Sequence, residues 1–144
     1  MTYNQLLKTI QTLLESHAMI KTAKNVTPQE WLLRDDQPVY PIACYSLVNG
    51  SLSAGRQQTY SLQFFFLDKS GMEAEFETDV ISDQHSIMSD IINKMRLGSN
   101  DYSIDDIQNF NAISDKHEDY LAGVEVTINF TTTADFDSCD MPTN

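Results

Sequence analysis

The sharpest pattern of apolar and polar positions stands at the start of the chain. Tyr3, Leu6, Leu7, Ile10, Leu13, Leu14 and Ala18 recur at i, i+3, i+4 and i+7 spacing, which lays one apolar stripe along a helix. Thr2 and Gln5 have the spacing of a capping box, so this helix is predicted to begin almost at the first residue. Asn4, Gln5, Lys8, Gln11 and Glu15 fall on its wet face. From Ile20 to Leu33 the pattern weakens. IKTAKNV and EWLL read there as two short strands joined by a turn at Thr27-Pro28, because proline lacks the amide that a central ladder needs.

After a loop at DDQP the period changes to two. Ile42, Cys44, Ser46 and Val48 alternate with Ala43, Tyr45 and Leu47, and both sets are largely apolar, as in a strand covered on both faces. Asn49-Gly50 reads as a turn, and Gly55 closes a polar loop. In QQTYSLQFFFLDKSG, Tyr60, Leu62, Phe64 and Phe66 point one way and Thr59, Ser61, Gln63 and Phe65 the other. DKSG ends that strand, and MEAEFET alternates again, which predicts a hairpin. Glu73, Glu75 and Glu77 would then share one face and Met72, Ala74 and Phe76 the other.

A second helix is predicted from about Ser82, with Ser82 or Asp83 as its cap, to Leu97, where Gly98 stops it. Ile87, Met88, Ile91, Ile92 and Met95 form its buried stripe. IQNFNAI suits a short strand. In the final strand Val124, Val126, Ile128 and Phe130 face the core, and Glu125, Thr127, Asn129 and Thr131 face out. The order predicts an α+β fold, a mostly antiparallel sheet with two packed helices. It forms one domain over residues 1–133, followed by an acidic tail at 134–144.

Composition changes this picture in one respect, which is charge. The net charge is −12. Residues 1–34 carry Lys8, Lys21, Lys24 and Arg34 against Glu15 and Glu30, a balance of +2, so the remaining 110 residues hold −14. No cluster of Lys and Arg is present to neutralise phosphates, which argues against direct nucleic-acid binding. Such asymmetry suits head-to-tail packing of a basic face on an acidic one, and it equally suits a solvated acidic surface. The longest apolar run, Phe64-Phe65-Phe66-Leu67, falls far short of the roughly 20 residues a membrane-spanning helix needs. MTYNQLLKTIQTLLESH lacks the basic start and apolar segment of a secretory signal. A soluble protein, intracellular at synthesis, is expected.

Candidate chemistry is sparse. Asp83 and His85 in SDQH, and Asp115 and His117 in SDKH, each offer two metal ligands, but no cysteine or further histidine completes either set. DFDSCD imitates the opening of a calcium loop, without the glycine and the glutamate that such a loop requires. Spacing allows a Cys44–Cys139 disulfide, although two cysteines without a secretory signal are more often free thiols. No nucleophile elbow and no phosphate-cradling glycine motif occurs. Neither catalysis, a metal nor a cofactor is expected.

Several strings together resemble small bacteriophage tail proteins of the tail-terminator or tail-completion type, including ring proteins of crAss-like phages. They are the N-terminal helix ending near His17, Tyr40-Pro41-Ile42, LQFFFLD before SDQHSIMSDIINKM, and LAGVEVTINF followed by a short tail with Cys139. Val124 departs from the tryptophan expected after that glycine. The resemblance implies a structural protein of the virion neck or tail, made in the host cytoplasm, that forms a sixfold or twelvefold homo-oligomeric ring. Its partners would be other neck, tail and portal proteins, and genomic DNA would pass through without specific binding. Glu73, Glu75 and Glu77, or the 101–119 loop, are candidates for the channel lining, where like charge would keep DNA from sticking. Phe136, Cys139 and Met141 in the tail are candidates for contact with a neighbouring subunit, Phe136 as anchor. The alternative is a small acidic binding or inhibitor protein, a nucleic-acid mimic or a toxin-neutralising partner.

Overall fold

The computed structural model describes residues 1–32, 38–70, 74–97, 101–115 and 121–133. Among them the chain forms three helices, α1 (Tyr3–Glu15), α2 (Pro28–Leu32) and α3 (Ala74–Leu97). Six strands accompany them: β1 (Thr22–Lys24), β2 (Ile42–Ser53), β3 (Gln57–Lys69), β4 (Tyr102–Ile104), β5 (Phe110–Asp115) and β6 (Leu121–Thr133). The sheet runs β1-β2-β3-β6-β4, with β5 also paired to β6. Every pairing is antiparallel except β1 with β2. This is the expected α+β fold, with α1 and α3 packed on a mostly antiparallel sheet.

The capping box closes as its spacing demands. The Thr2 amide donates to Gln5 Oε1 at 2.8 Å, and the Gln5 amide donates to Thr2 Oγ1 at 3.2 Å, which satisfies two amides that a helix start leaves unpaired. Leu6, Ile10 and Leu14 are buried from α1. They join Ile87, Met88, Ile91, Ile92 and Met95 of α3 in one core. The sheet face beneath supplies Ala43, Tyr45, Leu62, Phe64, Phe66, Val124, Val126, Ile128 and Phe130. A smaller cluster on the opposite face gathers Trp31, Ile42, Cys44, Leu67 and Leu121. The first half of β2 is therefore covered on both sides, as its double apolar pattern requires.

Four local readings are corrected. Residues 74–77 belong to α3 and not to a hairpin strand. β3 has no room for such a partner, because β2 takes one edge and β6 the other along thirteen register pairs, Gln57↔Thr133 through Lys69↔Leu121. Ser82 and Asp83 accordingly lie inside α3 and cap nothing. EWLL falls largely within α2: the Glu30 amide donates to Thr27 Oγ1 at 3.2 Å, so Thr27-Pro28 opens a helix. Asn49-Gly50 stays inside β2, paired with Ser61 and Tyr60 after a register shift between Leu47 and Asn49. The turn sits further on, where Gly55 (φ 86°) and Arg56 (φ 66°) take the left-handed conformation. Among the described residues no helix is long and apolar enough to cross a membrane.

Candidate functional site

The reactive side chains are occupied structurally. Cys44 is fully buried, and burial pushes its thiol up to about 12, so it supplies no thiolate near neutral pH. His17 Nδ1 accepts from the Met19 amide at 3.1 Å, which leaves Nε2 to face Asp90 Oδ2 at 3.0 Å. That pair ties the end of α1 to α3. The ring of His85 lies against Phe110, with centroids 4.8 Å apart. His117 lies outside the described residues, and no group of three metal-ligating side chains occurs among the described ones. Tyr102 is buried, and that burial raises its phenol above the ordinary range.

What the fold leaves open is a pair of surfaces on opposite edges of the sheet. Among the described residues β1 pairs with Ile42, Ala43 and Cys44 alone, and beyond them β2 is an edge strand up to Ser53, bonded on one side to β3. Leu47, Val48 and Leu52 stand exposed along it, Leu52 at 81%. Apolar side chains on an unpaired edge are the arrangement that soluble proteins ordinarily avoid. Arg56, in the turn at the tip, is the one charge between Leu47 and Ser61.

At the other edge, α3 and the segment leading into β5 enclose a groove of about 360 Å³ lined by His85, Met88, Ile92, Arg96, Ile107 and Phe110, among others. Arg96 donates to the Asp106 carbonyl oxygen at 2.9 Å and also bonds Gln108, which holds this segment against the helix. Leu97, Ile107 and Phe110 stand exposed around it, Leu97 at 89%. Asp106 lines it, and the adjoining Asp105 accepts from Asn129 Nδ2 at 2.8 Å, so carboxylates stand at this edge. One edge is thus apolar with a cation and the other apolar with carboxylates.

Phe136, Cys139 and Met141 lie outside the described residues, as do Glu73 and the side chain of Glu75. Glu77 is half-buried on α3. Residues 74–77 are helical, so the strand on which an acidic face was expected is not formed there. α3 instead aligns Asp79, Asp83 and Asp90, all exposed. At about 100° per residue they fall within roughly 40° of one another. The spacing i, i+4, i+11 was available in the sequence, but only to a reading that began the helix before Ser82. Comparison of the chain with protein-family models and with curated proteins returns no match.

Proposed function

We propose that the chain is a structural ring protein of a phage neck or tail, whose copies join edge to edge around a channel for DNA. The supporting observation is the pair of unlike surfaces at opposite edges of one sheet. The β2 edge of one copy, with Leu47, Val48, Leu52 and Arg56, lies against the α3–β5 groove of the next, with Ile107, Phe110, Asp105 and Asp106. Such a contact is heterologous, and it generates a ring when its rotation closes. Burial of the apolar residues drives it, and the opposite charges fix its register. The role asks for no catalytic group and no cofactor. Portal, neck and tail proteins are the partners above and below the ring. The acidic stripe of α3 faces the channel, and DNA slides past it unbound.

One observation favours a second reading. Three exposed carboxylates on one helical line resemble a row of phosphates, as a nucleic-acid mimic would present. Light scattering and negative-stain imaging of the purified chain, alone and with neck and tail proteins, separate the two. Rings of six or twelve copies are expected. A strict monomer in both settings that blocks a DNA-binding protein would replace the first reading with the second.

A further inference from the structure

The sheet face opposite α1 and α3 carries a pocket that the edge surfaces do not use. It has a volume of about 270 Å³ and lies between the first turn of α2, at Pro28, and the surface of β3, β6 and β5. Phe65, Leu67, Ile113 and Leu121 form its apolar wall, and among the described residues Glu125 is the one charged group that lines it. The register explains the space. Phe65, Glu125 and Asn111 stand in one row across the three strands, and Leu67, Gly123 and Ile113 in the next. Residues directly opposite one another share a face. Gly123 brings no side chain between Leu67 and Ile113, so a gap is left in that row.

Two features leave the pocket chemically incomplete. Glu125 is half-buried, and its carboxylate meets only neutral donors, Gln63 Nε2 at 3.3 Å and Asn111 Nδ2 at 3.5 Å. No lysine, arginine or histidine of the described residues pairs with it. Lys24 and Lys69 lie instead over the rings of Trp31 and Tyr40, at 5.3 and 5.1 Å from the centroids. A carboxylate held by two long amide bonds keeps most of its capacity for a charged donor unused. The second feature is Trp31, 3% exposed, whose Nε1–H is buried without an acceptor. It belongs to the same cluster as Phe65, Leu67, Ile113 and Leu121. Buried donors are nearly always met in a finished interior.

We propose that this pocket binds a small organic cation, a primary amine on a compact aromatic or aliphatic body. The ammonium lies on Glu125, and the body lies against Phe65, Leu67, Ile113 and Leu121. Size argues against a peptide segment: at roughly 30 Å³ for each water-sized group, the space holds about nine of them. Charge argues against carboxylates and phosphates, which Glu125 repels. An apolar pocket with few polar groups is the usual form of a small-molecule site, and here the single carboxylate fixes the ligand's orientation. Phe65 adds a ring on which an aromatic body packs well. The pocket is built by one chain, so the proposal does not rest on the ring reading.

Titration of the full chain with phenethylamine at pH 7, followed by 1H–15N NMR, tests it. Trp31 is the only tryptophan of the chain, so its indole gives a single signal from the cluster around the pocket. Saturable shifts are expected at that indole and at the amides of Leu67, Gly123 and Ile113. Phenylethanol, of the same size without the charge, should bind about tenfold more weakly, and phenylacetate should not bind. Glu125→Gln should reduce affinity for the amine to that for the alcohol. Absence of saturable shifts at these signals would overturn the proposal. So would equal affinity for amine and alcohol, or binding of phenylacetate as tight as that of the amine. The three ligands are compared on the wild-type chain, so the need for charge is decided even if Glu125→Gln does not fold. None of these results bears on whether the chain forms rings.

Discussion

Tyr45 donates its phenolic O–H to Gln11 Oε1 at 2.7 Å, and Gln11 Nε2 in turn donates to the Ala23 carbonyl oxygen at 2.8 Å. One glutamine on α1 thereby clasps both β1 and β2. Replacing Tyr45 with Phe leaves the ring packing against Phe64 in place and strips Gln11 of its donor. A single part-buried hydrogen bond of this kind contributes about 1 kcal/mol. Tyr45→Phe is expected to lower the urea midpoint accordingly with an unchanged m-value. A change in m instead would mean that the helix had detached.

The same tyrosine sets an alkaline limit together with its neighbour Cys44. Burial pushes the Cys44 thiol from 9.0 up to about 12, and burial, aided by the charges of Glu15 and Tyr3, pushes the Tyr45 phenol from 10.0 up to about 12. Both groups stay neutral in the fold after the unfolded chain has ionised. The stability they contribute is complete below the unfolded values and is lost as pH rises from about 9 to about 12. The urea midpoint should fall across that window, and the fall should be shallower in Tyr45→Phe. An equal slope in the two proteins would remove Tyr45 from the account.

Gly123 lies directly against the β3 backbone. A methyl group there would overlap the carbonyl oxygen of Phe66 and press on the Leu67 backbone. Gly→Ala in a strand ordinarily stabilises by restricting the unfolded chain. Here the obstacle is backbone paired along the β3–β6 register, which cannot swing aside, so the sign reverses. Gly123→Ala should destabilise by roughly 1–3 kcal/mol, within the range of overpacked cores, read as a fall in the urea midpoint.

These positions show what the sequence makes legible. Thr2, Gln5 and the stripe to Leu14 announce α1 because capping and periodicity agree. β3 and β6 announce themselves through alternation long enough to exceed chance. MEAEFET misleads because seven residues can alternate by accident, and Met, Ala and Glu favour a helix whichever period they display. What decides the matter is non-local: β6 already occupies the edge of β3 that a hairpin partner would take. Both exposed edges escape sequence reading for a related reason. Leu52 and Phe110 look like core residues, yet among the described residues the strand order leaves both exposed.

Leu52 is the sharpest probe of assembly because it is so exposed. Leu52→Asp with Val48→Asp removes apolar surface from the β2 edge and, in the proposed edge-to-edge contact, places carboxylates opposite Asp105 and Asp106. Folding stability should change by no more than about 0.5 kcal/mol, as for surface positions generally. Light scattering should show the wild-type assembly reduced to monomers. Arg56→Asp should weaken association more mildly, since a rim ion pair contributes about 1 kcal/mol or less. Assembly that survives all three changes would place the subunit contact elsewhere.

The acidic stripe of α3 can be tested apart from assembly. Asp90 is engaged with His17, so Asp79 and Asp83 are the ones to change without loosening α1. Each reversal adds two charges, and Asp79→Lys with Asp83→Lys takes the chain from −12 to −8. In a ring the new lysines repeat with every subunit, so their effect on DNA multiplies with copy number. Wild-type rings should leave double-stranded DNA free in a gel-mobility experiment. The variant should retain it, with an affinity that falls steeply as salt rises, because each phosphate contact releases condensed counterion. Virions carrying the variant should form normal rings by light scattering yet deliver their DNA slowly, since passage past a lysine-lined wall requires repeated release of phosphate contacts. Normal delivery by variant virions would mean that α3 faces away from the channel. The mimic reading predicts the reverse pattern: loss of inhibition of a DNA-binding partner, and no effect on any virion.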